Sequence, residues 1–541
     1  MANLSQEKRE RMLAFLETLK KQHSDDESLI ALGEIEKELK SKKYGLVWEE
    51  HEEEVDVKMR THIPVFTEDG SKEIDADTTT GSYNFLLEGD NLHSLRLLEK
   101  THRGKVDVIY IDPPYNRGKT DFVYNDDYVV SEDGFRHSKW LSFMEKRLSI
   151  AKKILSKNGL LFISIDDNEV AQIKMLCDQL FCFINLFVWQ RNSSAKTEKG
   201  KFTVNTEYVL LYANSPTYEL CDAFKPLSEA SQKLYKFDDG DGRGKYQTVS
   251  LQKPKDPGPE TTYDYIDNTG KVWKCPPKGW RMKQSKIKDL ENDGRLVLAG
   301  NTLRVKDYWN ERENPGKRID TLWNDLSQNT AGSGELETIM GKPNAFDNPK
   351  PTDLIRRCLT IAGKSSVVLD FFAGSGTAGQ AVLKMNIEDG GNRRFILCTN
   401  NQNGICENVT YQRLKTVITG KRADGSEYSE GIPSNLMYYR TDFVDKESDE
   451  LSDELLAHIR EMIQLEHGIK IDDRKYVVIL TEEEMDKFEE NIADYPDLKA
   501  VFINSDIFLS AKQQKMLNDV DSYVIPDYYF DFELREAGEI W

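Results

Sequence analysis

Asp112-Pro113-Pro114-Tyr115 places a carboxylate, two prolines and an aromatic ring directly after an apolar run, VDVIYI at 106–111. The run is typical of a buried strand in a parallel sheet, and such sheets bind ligands beyond the carboxyl ends of their strands. Because the prolines fix the turn and carry no N–H group, the first carbonyl of the turn is predicted to lack a sheet partner. A carboxylate, a carbonyl and a ring held together suit a flat heterocycle with an amino group, which the oxygens hold while Tyr115 stacks on it.

A second motif, VVLDFFAGSGT at 367–377, indicates a strand that runs into a glycine loop and then into a helix. Gly374 and Gly376 allow the backbone to approach a ligand closely, and the helix N-terminus favours the ligand's polar end. The loop lacks the Gly-Lys-Ser/Thr ending of a phosphate loop and the G-x-G-x-x-G pattern. Alone it predicts only a tight strand–helix turn, but together with the first motif it predicts a ligand-binding loop.

The two motifs resemble the catalytic and cofactor motifs of amino-group DNA methyltransferases, which use S-adenosyl-L-methionine. The catalytic motif comes first, as in the permuted beta group, and the chain is similar to the modification subunits of type III restriction-modification systems. The matching stretches include those at 44–49, 87–92, 110–116, 140–147, 159–169, 346–355 and 370–377. The resemblance implies an α/β fold: a Rossmann-like S-adenosyl-L-methionine-dependent methyltransferase domain with permuted motif order, an inserted target-recognition domain and a small C-terminal α/β domain.

The resemblance also implies roles for individual residues. The expected catalytic residues are Asp112, Pro113, Pro114 and Tyr115. The expected cofactor-binding residues are Asp90, Asn91, Lys350, Asp370, Phe371, Phe372, Ala373, Gly374, Ser375, Gly376, Thr377 and Asn400. Asn400 stands where many relatives carry an acid for the ribose hydroxyls, although an Asn can also bind hydroxyls. A second departure is Thr206 before Glu207, where relatives often have His.

The expected substrate is an adenine amino group in double-stranded DNA. Its nitrogen is a poor nucleophile because its lone pair is delocalised into the ring, and the Asp112 carboxylate and the Pro113 carbonyl can hold its hydrogens out of the plane. The base must leave the duplex to be reached. A cytosine-N4 enzyme uses the same chemistry but more often carries Ser at the first motif position, so Asp112 favours adenine. A cytosine-C5 enzyme is excluded because no cysteine follows a proline, and a DNA-recognition scaffold without catalysis is the non-enzyme alternative.

The amino-acid composition limits the classes of protein to which the chain can belong. The chain has 541 residues, and no apolar run approaches the ~18 residues that a membrane helix needs. Its 7 cysteines never form C-x-x-C and the 8 histidines are scattered, so we predict free thiols, no metal site and a cytoplasmic protein. The net charge of −20 argues against DNA binding at first sight. However, residues 441–541 hold 27 acidic and 10 basic residues, a net −17, whereas residues 215–323 hold 20 basic and 17 acidic residues, a net +3.

Composition and periodicity predict five regions along the chain. They are an N-terminal helical region at 1–60, the catalytic half of the methyltransferase domain at 61–214, a target-recognition domain at 215–325, the cofactor half at 326–440 and a C-terminal α/β interaction domain at 441–541. Residues 61–80 are polar and are interpreted as a connecting segment.

Local signals in the catalytic half predict the elements around the first motif. Ser138 is expected to cap a helix and Gly159 to end it, before a strand at 160–165. Asp166 and Asp167 follow this strand. They either cap a helix from residue 168 or face the site, and the sequence favours neither reading.

Two regions are predicted to bind partners. The target-recognition domain interleaves aromatic and basic residues, which suits base stacking and phosphate contacts on DNA, against the alternative of a loop-rich insertion with solvated charges. These residues are Tyr246, Lys253, Lys255, Trp273, Lys274, Trp280, Arg281, Lys283, Arg304 and Trp309. The acidic C-terminal region predicts protein docking, and by resemblance its partners are a second copy, giving a homodimer, and a helicase-nuclease restriction subunit. No membrane association is predicted.

Overall fold

The computed structural model describes residues 4–23, 25–40, 48, 51–77, 79, 81–118, 123–124, 127–128, 135–193, 202–221, 223–225, 232–254, 258–299, 302–313, 317–363, 367–525 and 529–530. The chain divides into two units. One is Leu220–Trp323, and the other combines Met1–Glu219 with Asn324–Trp541. In the ranges given above, no helix is both long enough and apolar enough to cross a membrane.

Helices and strands alternate through much of the described chain. The helices are α1 Leu4–Gln22, α2 Asp26–Lys40, α3 Glu54–Thr61, α4 Asn91–His102, α5 Arg136–Ile154, α6 Val170–Leu180, α7 Gln284–Asn292, α8 Trp309–Glu313, α9 Asn329–Met340, α10 Thr352–Ala362, α11 Thr377–Asp389, α12 Tyr411–Thr419, α13 Leu451–Leu456, α14 Ile459–His467, α15 Glu482–Glu490 and α16 Ala511–Met516. The strands are β1 His62–Glu68, β2 Ile74–Asp75, β3 Tyr83–Glu88, β4 Val106–Ile111, β5 Val123–Tyr124, β6 Asp127–Tyr128, β7 Leu155–Ile165, β8 Cys182–Gln190, β9 Thr206–Ala213, β10 Phe224–Lys225, β11 Tyr246–Ser250, β12 Tyr265–Ile266, β13 Val272–Trp273, β14 Leu296–Ala299, β15 Thr302–Tyr308, β16 Lys317–Arg318, β17 Leu322–Trp323, β18 Val367–Asp370, β19 Arg394–Thr399, β20 Asn435–Asp445, β21 Tyr476–Ile479, β22 Ala500–Ile503 and β23 Asp521–Val524.

A mixed sheet organises the first unit. Its strands lie in the order β1-β20-β3-β19-β18-β4-β7-β9-β8, and β2 pairs with β20. From β20 to β7 all neighbouring strands are parallel. At the two sides, β1 is antiparallel to β20, β9 to β7 and β8 to β9. The parallel strands are almost continuously apolar because both of their faces are covered, and five of the six residues of β4 are buried.

The winding of the chain changes direction between β18 and β4. From β18, helix α11 leads to β19, toward the β1 end of the strand order. From β4, helix α5 leads to β7, toward the β8 end. Val368 pairs with Val108 and Leu369 with Ile109, so the two strands end at the same edge of the sheet. Open α/β sheets bind ligands at such switch points. The two sequence motifs follow these two strands, which confirms the predicted Rossmann-like fold with permuted motif order.

Two local predictions in the catalytic half are wrong. Helix α5 begins at Arg136 after an N-cap without a side-chain hydrogen bond, so Ser138 lies in the first turn and does not cap it. The helix ends at Ile154, and β7 already begins at the next residue, so Gly159 lies inside the strand. Gly159 is needed there for a different reason, since a Cβ would lie 2.6 Å from the Leu155 side chain.

Residues 61–80 are also more than a connection. Strand β1 pairs with β20 and buries Ile63, Val65 and Phe66 in the core of the unit. Its pairing partner lies far along the chain, which is why local composition gave no sign of it. Strand β20 crosses the predicted boundary between residues 440 and 441, and α13 and α14 after it pack on the same core through residues such as Leu451 and Met462.

The second unit has its own core, made partly of the residues predicted to stack on DNA bases. Strands β11, β15 and β14 form a three-stranded sheet in which β15 is central. Trp273 and Trp280 are buried beneath it, and Tyr246 is buried as well. A small unit needs large side chains to bury enough apolar area, so these aromatic rings are structural. Two of the predicted lysines are exposed: the side chains of Lys274 and Lys283 are 83% and 66% exposed. Lys255 lies outside the described residues.

A small parallel sheet lies near the C-terminus. Strands β21, β22 and β23 are adjacent and parallel, and α15 and α16 connect them. One face of the sheet packs on these connections through Val477, Ile479 and Val501, while Ala500 and Phe502 from the other face join the core of the main sheet. This is the predicted C-terminal α/β region, and it is continuous with the core of its unit.

Candidate active site

Asp112 lies just beyond the end of β4, and both of its carboxylate oxygens are engaged. The Tyr115 hydroxyl donates to Oδ1 at 2.8 Å, and the Lys350 ammonium donates to Oδ2 at 2.8 Å. Lys350, predicted among the cofactor-binding residues, therefore lies against the predicted catalytic carboxylate. Burial alone would lower the pKa of Lys350, but Asp112 and Glu207 raise it above its usual value, so the ammonium stays charged.

Two cationic side chains lie close to the Tyr115 ring. It is 7% exposed, with the Arg117 guanidinium 4.9 Å and the Lys350 ammonium 5.0 Å from its centroid. Burial raises the pKa of the hydroxyl well above its usual value, so it stays protonated and donates. The Trp140 Nε1–H group donates to the Pro114 carbonyl at 2.7 Å and fixes the turn that carries the ring.

A second buried carboxylate, Glu207, is not among the site residues predicted from the sequence. It stands on β9 and is 2% exposed. Arg191 Nη1 donates to its Oε1 at 2.8 Å, while its Oε2 lies 3.2 Å from the Tyr115 hydroxyl and 3.6 Å from Lys350 Nζ. Burial alone would raise the pKa of Glu207, but Lys350 and Arg191 outweigh it and lower the pKa. We call Asp112, Tyr115, Lys350 and Glu207 the Asp112 cluster. The available sequence signal is a carboxylate entering an apolar strand, where it needs a cationic partner.

Asp166, at the end of the next strand, faces this cluster through Arg117. The Arg117 Nε–H group donates to Asp166 Oδ2 at 2.9 Å, and Asp166 Oδ1 accepts from the backbone N–H of Asn168 at 3.0 Å. Helix α6 begins at Val170, whose backbone N–H group donates to the Asp166 carbonyl at 3.2 Å. Asp166 therefore holds the turn that leads into the helix and also faces the site through Arg117, so it combines both readings. Asp167 accepts from the Tyr208 hydroxyl at 2.8 Å.

The loop Phe371–Thr377, which we call the glycine loop, follows the adjacent strand β18. Gly374 and Gly376 have φ values of 49° and 77°, in the left-handed region that favours glycine. A Cβ on Gly374 would lie 3.1 Å from the Phe346 ring, and one on Gly376 would lie 3.1 Å from the Thr410 methyl group. The loop is therefore closely lined, and a larger side chain at either position would displace its neighbours.

Arg413, a buried residue on α12, is hydrogen-bonded to side chains of the glycine loop. Arg413 Nη1 donates to Ser375 Oγ at 3.0 Å and to Thr377 Oγ1 at 2.7 Å, and its Nε donates to Gln380 Oε1 at 2.7 Å. Burial lowers the pKa of Arg413 to about 10. The hydroxyls of Ser375 and Thr377, predicted to bind the cofactor, are thus turned toward Arg413. The sequence gave no sign of Arg413, because it reaches the loop from helix α12.

Asp370, the last residue of β18, belongs to the second motif and is nearly inaccessible. It is 3% exposed, and its Oδ1 accepts from the backbone N–H of Phe372 at 2.9 Å. Burial raises the pKa of Asp370 to about 8; the bond from Phe372 opposes this shift and the charge of Asp112 adds to it. The backbone N–H of Ala373 donates to the Cys398 carbonyl at 3.1 Å, which ties the loop to β19.

Asn91, which follows the end of β3, contacts the glycine loop. Its Nδ2 donates to the Phe371 carbonyl at 2.8 Å, and Arg147 Nε donates to its Oδ1 at 2.6 Å. Asp90 Oδ1 accepts from the backbone N–H of Leu92 at 2.7 Å, so Asp90 caps helix α4, and its carboxylate is 36% exposed. Asn91 is therefore a support of the loop, while Asp90 keeps part of its carboxylate accessible.

Asn400 follows β19 and is exposed. Its Oδ1 accepts from the backbone N–H of Gln402 at 3.4 Å, and the neighbouring Asn401 donates to Glu88 Oε1 at 2.9 Å. Glu88, at the end of β3, is a carboxylate at this edge that the sequence prediction did not include. Across the described ranges, no group of three or more His, Cys, Asp or Glu side chains is arranged to hold a metal ion.

A match to a known family covers both motifs. The family is described as DNA methylase, of the N6_N4_Mtase type, and it matches residues 106–409, more than half of the chain. The chain belongs to this family. The matched range begins with strand β4 and ends next to Thr410, so it contains the Asp112 cluster and the glycine loop.

Individual relatives confirm the resemblance to type III modification subunits. The chain is 34% identical over 369 residues to the Mod subunit of the type III restriction-modification enzyme StyLTI of Salmonella typhimurium, over 62% of this chain and 56% of that protein. It is 31% identical over 378 residues to the EcoPI Mod subunit of Escherichia phage P1, over 58% of this chain and 57% of that protein. The chain thus spans little more than half the length of these two relatives.

A type II enzyme and a solved structure are also similar. The type II methyltransferase M.KpnI of Klebsiella pneumoniae is 33% identical over 353 residues, a match to 60% of this chain and 82% of that protein. Among solved structures, the PvuII DNA methyltransferase (cytosine-N4-specific) is 12% identical, covers 59% of this chain and 83% of that chain, and superposes with a TM-score of 0.33.

Proposed function

We propose that this chain is a site-specific DNA methyltransferase that transfers a methyl group from S-adenosyl-L-methionine to the N6 amino group of an adenine flipped out of double-stranded DNA. One observation carries the proposal: Asp112 and the glycine loop follow adjacent parallel strands, β4 and β18, at the switch point of the sheet. An amino group held at one strand end and a cofactor held at the next are then neighbours, as group transfer requires.

Asp112 and Pro113 hold the amino group in this mechanism. The Asp112 carboxylate and the Pro113 carbonyl each accept one of its hydrogens, which localises the nitrogen lone pair on the side of the glycine loop. Transfer then depends on alignment more than on a strong base. The Tyr115 ring stacks on the base after the Arg117 guanidinium moves aside, since the Arg117 side chain is 37% exposed and the Lys350 side chain only 7%.

The residues around the glycine loop fit the cofactor's polar groups. When bound, S-adenosyl-L-methionine supplies an electrophilic methyl group. Asp370 suits its ammonium, because a cation beside this buried carboxyl favours the ionised form. The backbone around Gly376, at the start of α11, suits its carboxylate. Asp90, Asn400 and Glu88 can accept from hydroxyl groups at the ends of β3 and β19.

The proposal is tested by the chemical identity of the product. The full chain would be expressed in a bacterial host without adenine or cytosine methyltransferases, and its DNA digested and analysed by mass spectrometry of the nucleosides. We expect N6-methyladenine in the DNA of cells with the wild-type chain and none with Asp112→Ala. N4-methylcytosine would shift the proposal to the cytosine-N4 alternative, and the absence of both would favour the scaffold without catalysis.

The partners proposed for the chain are DNA, a second copy and a restriction subunit. The exposed lysines of the second unit support phosphate contacts, and two relatives are named as Mod subunits of restriction-modification enzymes. We propose cytoplasmic action on DNA, a homodimer, and assembly with a helicase-nuclease subunit. Sedimentation of the full chain, alone and with any restriction subunit encoded nearby, tests both assemblies.

A further inference from the structure

Glu207 is a buried carboxylate for which the proposed mechanism has no use. Its Oε2 lies 3.2 Å from the Tyr115 hydroxyl, which donates to Asp112 Oδ1 at 2.8 Å. A hydroxyl group has a single hydrogen, and this one has carboxylates on two sides. Rotation about the tyrosine C–O bond is enough to pass that hydrogen from one carboxylate to the other, with no movement of heavy atoms.

The same pair of carboxylates also surrounds Lys350. Its ammonium lies 2.8 Å from Asp112 Oδ2 and 3.6 Å from Glu207 Oε2. Asp112 therefore receives a donor on each oxygen in the absence of a base. A carboxylate oxygen can accept two hydrogen bonds, but an oxygen that already has a donor binds a further N–H group less strongly, so arrival of the target amino group is easier if one of the present donors turns away.

Glu207 is built to receive that donor. Arg191 Nη1 donates to its Oε1 at 2.8 Å and Arg117 Nη2 lies 3.5 Å from the same oxygen, so Oε1 is anchored and Oε2 is turned toward Tyr115. With cations around it, the carboxylate stays ionised although it is buried, and an ionised carboxylate is a strong acceptor.

We propose that Glu207 is a positioning residue that takes over the Tyr115 hydroxyl when the target amino group reaches Asp112. The exchange releases Asp112 Oδ1 for the substrate and leaves no buried hydroxyl without an acceptor. This inference rests on the proposed amino-methyltransferase function. It gives Glu207 a role in turnover that is separate from holding the fold together.

A double-mutant cycle between Glu207→Gln and Tyr115→Phe tests the exchange. In the glutamine variant Arg191 holds the amide oxygen, so the NH2 group faces Tyr115 and cannot accept its hydrogen. Methyl transfer would be measured with radiolabelled S-adenosyl-L-methionine and unmethylated plasmid DNA, both at saturation. We expect Glu207→Gln to lower kcat about tenfold to a hundredfold, with the KM for DNA and the Kd for cofactor changed less than about threefold.

The Tyr115→Phe background separates exchange from a structural role. Phenylalanine keeps the ring and has no hydroxyl to hand over, so there Glu207→Gln should lower kcat less than about fivefold. Additive effects, or a loss of cofactor affinity in Glu207→Gln, would overturn the inference. If Glu207→Gln does not fold, Glu207→Asp, which withdraws the carboxylate from the hydroxyl, must show the same coupling. Glu461→Gln, which removes a carboxylate from helix α14, is the control and should keep wild-type turnover.

The proposed function and this inference fail in different ways. If the wild-type chain transfers no methyl group to DNA, or if Asp112→Ala keeps wild-type activity, the proposed function is wrong. If the wild type is active, Asp112→Ala is inactive and the cycle is additive, only the role of Glu207 is wrong.

Discussion

The Asp112 cluster and the glycine loop follow neighbouring strands of one sheet but hold their ligand-facing groups by different means. In the Asp112 cluster, side chains from separate strands and loops balance charge, with Asp112 and Glu207 set against Lys350 and Arg191. In the glycine loop, backbone conformation provides the surface, and the Arg413 side chain behind it stays out of the ligand's path.

The difference indicates what each region tolerates. Because the Asp112 cluster works through hydrogens that can change acceptor, a substitution there should alter turnover more than binding. Because the glycine loop works through shape, a substitution there should alter cofactor binding first. Substitutions in either region that lower turnover and cofactor binding equally would contradict this difference between the two regions.

The largest effect is expected at Asp112. Asp112→Ala should lower methyl transfer on the order of a thousandfold or more, because the amino group loses the acceptor that aligns it. Cofactor affinity, measured by calorimetry, should stay within about threefold of wild type, since Asp112 belongs to the neighbouring strand end. An equal loss of cofactor affinity would mean that the two regions form one binding surface.

The opposite pattern is expected at Gly376. Gly376→Val forces a β-branched residue into a left-handed conformation at φ 77°, with Thr410 3.1 Å from its Cβ. Cofactor affinity should fall about a hundredfold or more in a protein that remains folded by circular dichroism. Gly390→Val is a matched control, because Gly390 has φ 66° at the other end of the same helix with no atom within 4 Å of its Cβ. Equal loss of affinity in both variants would show that backbone strain alone is responsible.

These two positions could be predicted from the sequence because each motif is contiguous. A strand, a carboxylate and two prolines, or a strand and two glycines, lie within about a dozen residues, so local rules apply to them. The permuted order of the two motifs was also read from these stretches. The C-terminal parallel strands were also visible, since each is a short apolar run between helical segments.

What could not be predicted comes from contacts between distant parts of the chain. Glu207 and Arg413 reach the site from other elements. A carboxylate entering an apolar strand marks Glu207 as unusual but does not say which site it faces, and Arg413 belongs to no local pattern. Strand β1 was misread because its partner β20 lies at the other end of the chain. The buried tryptophans of the second unit were misread because an aromatic residue among lysines has the same composition whether it faces DNA or a small core.

A smaller effect is expected from replacing Arg413, which holds the glycine loop through hydrogen bonds. Arg413→Met leaves Ser375 and Thr377 without their charged donor and Gln380 Oε1 without the donor that it has in the wild type. We expect stability to fall by about 3 kcal/mol and cofactor affinity by about tenfold. Arg356→Met removes a half-exposed arginine paired with Glu388 and should change both quantities little. Wild-type cofactor affinity in Arg413→Met would mean that the loop keeps its shape unaided.

The last effect is on the pH dependence of stability and concerns Asp370, where the two regions meet. Its pKa is raised to about 8 by burial, with a further contribution from the charge of Asp112. A carboxyl group with a higher pKa in the folded than in the unfolded state binds more protons when folded, so its contribution to stability is lost as pH rises from about 4 toward 8. The loss is about 1.4 kcal/mol per pH unit in this window at most. Four histidines, His93, His102, His137 and His467, have lowered pKa values and act in the opposite direction below about pH 7, so the measurement belongs between about pH 7 and 8. In this range, without cofactor, the wild-type melting temperature should fall with rising pH, and Asp370→Asn should reduce the slope.

The slope should not vanish in Asp370→Asn, because burial also raises the pKa of Glu169 to about 8 and this group acts in the same direction. The cofactor should reduce the wild-type slope as well, since a cation beside Asp370 favours its ionised form, and it should have less influence on the slope of Asp370→Asn. Asp178→Asn, which removes a carboxylate paired with Lys174 on helix α6, serves as the control. If cofactor changes the slope of both variants as much as that of the wild type, Asp370 does not face the cofactor's ammonium. The glycine loop would then bind through backbone and shape alone, and the contrast with the Asp112 cluster would be complete.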